Sequence, residues 1–157
     1  MPNVMRWRYG ETHPVIVAVD EDTAIEIGDL VWLDTDDAKP VSSVTYSSLA
    51  AAQEAAHDDF LGVAMQASPA GQSDPIRVAT SGVFEFDQAS STVQLGARLG
   101  VDDTLGDDAL LNQQLIAVAA GSPQLSIGRC AQLASSATTV LVAIHSTVMR
   151  DGPQSVA

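Results

Sequence analysis

The chain has 157 residues, with 20 acidic side chains against seven basic ones, a formal charge of −13. A net field of that sign repels nucleic acid and anionic membranes, and no basic stripe is present to grip phosphate. The length suits one domain that buries about 70% of its unfolded surface without staples, and a single cysteine, Cys130, excludes an intramolecular disulfide and fits a reducing compartment.

Residues 1–14 read as an extended N-terminal arm. Met1 to Arg6 lacks the apolar segment of a signal peptide, and no apolar run in the chain is long enough to span a bilayer. Arg6, Trp7, Arg8 and Tyr9 hold one of the two Trp, one of the two Tyr and two of the seven basic residues. Trp and Arg combine large apolar contact with directed hydrogen bonds, so this segment reads as a partner contact. The competing reading is an ordinary edge strand whose aromatics pack at home. Val15–Val19 predicts a buried strand and Asp20-Glu21-Asp22 its exposed turn. Ile25 to Leu33 predicts two short strands about a Gly28-Asp29 turn, and Asp34 to Pro40 a polar loop.

One α-helix is predicted, at about residues 46–60. Leu49 to Ala56 is rich in strong helix formers, and Ser47 or Ser48 can cap its start. Its small alanine face suits flat packing on a sheet or a neighbouring subunit, with Ala51 and Ala55 as candidate contacts. From there the pattern is β. Ile76 to Phe86 alternates as one half-buried strand with a bulge at Gly82, and Val140, Val142, Ile144, Ser146 and Val148 form a similar row. Asp102 to Asp108 is an acidic loop, Ser122-Pro123 and Ser135-Ser136 are turns, and 151–157 is a loose tail. The expected fold is mainly β, a small β-barrel or compact sandwich over residues 15–150 with one inserted helix.

Three short patterns recur in order. Ile25 to Asp34 returns as Val93 to Asp102, Leu61-Gly62-Val63 as Ile127-Gly128-Arg129, and Ile76 to Ala79 as Val140 to Ala143. The offsets are similar: 68 residues from Gly28 to Gly96, 66 from Gly62 to Gly128 and 64 from Val78 to Val142. They divide the domain into half-patterns at about 25–87 and 93–149, either a duplication or two similar meanders. Two copies of this period do not make a solenoid array.

No catalytic constellation accompanies them. The only lysine, Lys39, lies between Ala38 and Pro40, which excludes a phosphate loop, and no Gly-x-Ser-x-Gly elbow occurs. His145 and Ser146 are adjacent, so in a strand they point to opposite faces. Cys130 stands alone and reads as a small buried apolar residue, while His13, His57 and His145 are scattered. Asp34-x-Asp36-Asp37 lacks the glycine and late Glu of a helix-loop-helix calcium site, leaving only weak calcium binding open; His57-Asp58-Asp59 reads as a solvated helix end. No enzyme activity, metal or cofactor is expected.

The runs Phe60 to Ala64, Ile76 to Phe86, Leu95 to Gly100, Ile127 to Arg129 and Val140 to Ile144 together resemble the small capsid decoration (cement) proteins of tailed double-stranded DNA bacteriophages. The resemblance covers roughly residues 25–148 through short apolar motifs. It implies a β-barrel or β-tulip-like fold on the outer surface of the virion, made in the host cytoplasm, that bridges subunits of the major capsid protein. It also implies self-association, with trimers favoured, and no nucleic acid or membrane partner. The helix around 45–60 and the arm before Val15 depart from the compact pattern, which puts direct transfer of subunit contacts in doubt. A small acidic β-barrel module binding a ligand or carbohydrate is the alternative expectation.

Overall fold

The computed structural model describes residues 6–150. Trp7–Tyr9 forms a short strand, β1. Val15–Val19 (β2), Leu30–Asp34 (β3), Asp37–Pro40 (β4), Phe60–Ala64 (β5) and Ile76–Ala79 (β6) then close into a barrel in the order β2-β4-β3-β5-β6. β2 is parallel to β4 and antiparallel to β6; β3 is antiparallel to β4 and β5, and β5 to β6. A ring this small fills its interior with side chains, here Val19, Ile25, Val31, Ala38, Leu61, Ala64, Ile76 and Val78.

The second half repeats the scheme. Val83–Val93 (β7), Arg98–Asp103 (β8), Leu110–Ala117 (β9), Gly128–Cys130 (β10) and Ala134–Ile144 (β11) form the row β7-β11-β10-β8-β9. A parallel β7–β9 pairing at Asp87 and Gln114 joins its ends into a ring. Every pairing has its counterpart: β7 stands where β2 stands, β8 for β3, β9 for β4, β10 for β5 and β11 for β6. The turns agree to the bond. Gly28 N–H donates to Ala64 O at 2.9 Å and Gly96 N–H to Cys130 O at 2.8 Å; Met65 N–H donates to Arg77 O and Ala131 N–H to Leu141 O, both at 2.9 Å. The repeating units therefore span 15–79 and 83–144, beginning earlier than the bounds suggested by the sequence motifs.

The rings join through the outer faces of β3 and β5. Because strand neighbours face opposite sides, Val31 fills the first ring while Leu30 belongs to the larger apolar cluster with Phe84, Phe86, Leu99 and Leu115. All five residues of β5 are buried for the same reason. The helix α1, Leu49–Asp58, begins at the expected cap, where Ser48 Oγ accepts the Ala51 N–H at 3.2 Å. It buries Ala52, Gln53 and Ala56, and Gln53 Nε2 donates to Val101 O on β8 at 2.9 Å.

Several expectations need correction. The strand Val15–Val19 is not buried throughout, since Ile16 is 71% exposed, and Ser135-Ser136 lies inside β11 rather than in a turn. The single strand predicted over Ile76 to Phe86 is two strands in different rings. Its break lies at Thr80–Gly82, where Thr80 N–H and Ser81 N–H donate to Thr12 O and Gly82 takes φ +112°, a backbone that favours glycine. The polar loop Asp34–Pro40 contains β4, whose Ala38 is fully buried and whose Pro40 ends the strand, where its missing N–H is tolerated. The arm of residues 1–14 becomes a sheet edge at β1, while residues 1–5 and the tail 151–157 lie outside the described residues.

Both rings close over a glycine. A Cβ on Gly62 would lie 1.8 Å from Ala79 O, and one on Gly128 2.4 Å from Ala143 O. These are backbone contacts that cannot swing aside. Gly62→Ala and Gly128→Ala are each expected to destabilise the fold by about 3 kcal/mol in urea denaturation. Gly121→Ala, whose Cβ would meet nothing within 4 Å, should change stability by less than about 0.5 kcal/mol.

Candidate interaction surface

β1 lies outside the second ring. It pairs only with β7, through Trp7–Phe84 and Tyr9–Val83, and its other edge carries no strand among the described residues. Three residues are too few to cover themselves, so Trp7 stays 48% exposed and Tyr9 53%. Trp7 Nε1 donates to Gly10 O at 2.9 Å, which holds the indole against its own turn. Arg8 is exposed and ion-paired with Glu85 on β7. Arg8 and Glu85 also line an open groove of about 400 Å³ with Leu133, Thr139 and Leu141, where Leu133 is half-exposed.

Arg6 departs from the expectation of four outward contacts. Its side chain is buried, with the guanidinium 5.9 Å from the Phe86 ring centroid. It donates to both carboxylate oxygens of Asp87 at 3.3 Å, and its Nε donates to Gln113 Oε1 at 3.0 Å. Gln113 Nε2 in turn donates to Asp29 Oδ1 at 2.9 Å and to Ile27 O at 3.2 Å. The chain of bonds thus runs from the start of β1 through β9 to the Gly28 turn of the first ring. A planar guanidinium makes such multiple directed bonds, so Arg6 acts as an internal tie.

Asp29 is the buried end of that chain, at 2% exposure. Burial raises its pKa above the ordinary value, against the lowering effect of the Gln113 bond and of the Glu26 N–H. A raised folded-state pKa means that folding takes up a proton, so this group's contribution is fullest below pH 3.8 and declines as pH rises through the shifted value. Asp29→Asn is expected to flatten that part of the pH dependence of the urea midpoint across the mildly acidic range; an unchanged slope would place its origin elsewhere.

On α1 the alanines divide. Ala52 and Ala56 are fully buried against the second ring, whereas Ala51 and Ala55 face outward and are exposed. The residues singled out for chemistry do not converge. Ser146 is fully buried, its Oγ donating to Phe60 O at 3.3 Å, while His145 is exposed. Cys130 is buried. Asp34 accepts from Lys39 Nζ at 2.8 Å. Among the described residues, no three His, Cys, Asp or Glu side chains gather in a geometry that could hold a metal ion, and no helix is long and apolar enough to cross a membrane.

Sequence reasoning missed Gln113, Asp29 and a facing pair of arginines, Arg98 on β8 and Arg129 on β10. The recurrence held a signal for the pair, because Arg98 and Arg129 occupy the positions of Leu30 and Val63 in the earlier motifs. No protein-family model matches the chain, and no curated protein matches it.

Proposed function

We propose that this protein is a structural decoration protein that binds the outer surface of a phage head and stabilises it by bridging subunits of the major capsid protein. The observation that carries this reading is the edge strand β1, with Trp7 and Tyr9 half-exposed beside a strand edge that no other strand pairs among the described residues. An unpaired edge offers main-chain hydrogen bonds to a partner strand, and aromatic residues beside it supply apolar contact. Such a contact needs no deep pocket and suits a flat lattice.

Two further features support it. The tandem rings present two similarly built bodies in one chain, a form suited to touching two neighbours at once. Weak contacts repeated over a lattice gain strength through effective concentration. The charge of −13 keeps decorated particles from adhering to one another or to released DNA. Self-association on the lattice belongs to the same reading, and an enzymatic role does not.

The test is co-sedimentation with expanded, undecorated shells of the cognate phage, followed by imaging of the bound density. Saturable binding at symmetry-related points is expected. Trp7→Ala/Tyr9→Ala should weaken it at least about tenfold, the loss of one or two anchor residues, with the melting temperature nearly unchanged. These substitutions are preferable to deleting residues 1–10, which would also remove the Arg6 tie. Wild-type protein that does not bind the shell removes the reading, and unchanged binding by the double variant removes β1 as the contact.

The exposed helix face supplies a second prediction. Ala51→Glu or Ala55→Glu is expected to lower decoration or self-association while leaving circular dichroism unchanged. No effect on either would assign that face to solvent.

A further inference from the structure

Equivalent positions of the two rings have opposite fates. In the first ring, Leu30, Val63 and Ala79 stand side by side across β3, β5 and β6. All three are fully buried in the cluster shared with the second ring. This row is the face by which the first ring docks. In the second ring the same row reads Arg98, Arg129 and Ala143 across β8, β10 and β11. Arg129 and Ala143 are exposed and Arg98 is half-buried, and the row lines a groove of about 450 Å³, flanked by His57, Pro123 and His145.

The arginine pair is electrostatically unfavourable by itself. Like charges directly opposite on neighbouring strands repel. Neither Arg98 nor Arg129 has a carboxylate within 4.0 Å among the described residues, although Arg6, Arg8 and Lys39 each have one. Arg129 Nη1 donates to Gly96 O at 3.2 Å, which anchors the guanidinium on a neutral carbonyl and supplies no counter-charge. Two arginines thus meet on one face of a molecule with net charge −13. Copies with that net charge repel, so association between them needs a local patch of opposite sign.

The complementary feature lies at the far end of β8. The loop between β8 and β9 carries Leu105, which is fully exposed, among Asp103, Asp107 and Asp108. The loop is held in shape. Thr104 N–H donates to Ala109 O at 3.0 Å, Asp107 N–H to Thr104 O at 3.1 Å, and Tyr46 OH to Asp103 Oδ2 at 2.5 Å. It presents an apolar tip with carboxylates around it, which matches a groove with apolar walls and paired guanidinium groups.

We propose that the Arg98–Arg129 groove of one copy receives the Asp103–Asp108 loop of a second copy. The inference rests on the self-association included in the proposed function. It gives that association a surface: the inter-ring docking face, used once within the chain, is used again between chains with charge in place of apolar packing. Groove and loop are different surfaces at opposite ends of β8. The contact is therefore head-to-tail, and it closes into a ring if the rotation between copies permits.

Sedimentation velocity of the purified full chain, without shells, tests this over a concentration series. Wild-type protein is expected to associate reversibly. Arg98→Glu/Arg129→Glu and, separately, Leu105→Ser/Asp107→Asn should each weaken association at least tenfold while retaining the wild-type circular dichroism spectrum and melting temperature. An equimolar mixture of the two variants should form dimers and nothing larger, because one intact groove then meets one intact loop. Monomeric wild-type protein, association unaffected by either variant, or a mixture that stays monomeric would each overturn the proposal. Should either charge or loop variant misfold, Arg129→Gln and Asp107→Asn alone provide the same comparison. Shell binding is measured separately, so failure of the capsid reading and failure of this contact give different results.

Discussion

The closest constraint in this molecule is the approach of one backbone to another at Gly62 and at Gly128. At both places a side chain would strike the carbonyl of the neighbouring strand, Ala79 O or Ala143 O. Strands that come this near turn sharply enough to close a five-stranded ring, and a ring that closes has few free edges to protect. The rest of each half builds on that closure: an apolar interior, of Val, Ile, Leu and Ala in the first ring and with Phe84, Phe86 and Cys130 added in the second, and an outer face left for other work.

The outer faces determine how the halves combine. The first ring contributes Leu30, Val63 and Ala79 to an apolar cluster that also holds Phe84 and Phe86 of the second. Burying apolar surface contributes about 25 cal/mol per Å², so this junction contributes to cohesion between the rings. Polar ties give it register. Ser42 N–H donates to Asn112 Oδ1 at 2.8 Å, and the Arg6–Gln113–Asp29 chain crosses the same boundary. The helix adds a third tie, since it is inserted in the first ring and packs on the second through Ala52, Gln53 and Ala56.

What is left unsatisfied by this internal arrangement is informative. β1 breaks the equivalence of the rings by adding a strand to β7 and leaving an edge with two exposed aromatics. The second ring leaves the equivalent row partly open to solvent and replaces apolar residues with arginine. Both features are surfaces rather than enclosed sites. A net charge of −13 repels other anionic surfaces, so an association at either place needs local chemistry that overcomes that repulsion.

The sequence by itself determined the class of fold, the approximate position of the helix with a cap at Ser47 or Ser48, and the recurrence of Gly28 with Gly96 and Gly62 with Gly128. These are local signals: alternation, capping and turn glycine act within a few residues. It also placed Trp7 and Tyr9 apart from any strong core pattern. Only the tertiary structure decided that Arg6 faces inward, because its partners Asp87 and Gln113 are about 80 and 107 residues away. The division of Ile76–Phe86 between two rings was equally hidden, since both pieces share one alternation and the break is fixed by bonds to Thr12. The correspondence of β2 with β7 was also illegible: the strands differ in length and composition, and only their common partners make them equivalent. Likewise Arg98 and Arg129 lie far apart in the chain, and antiparallel pairing alone makes them neighbours.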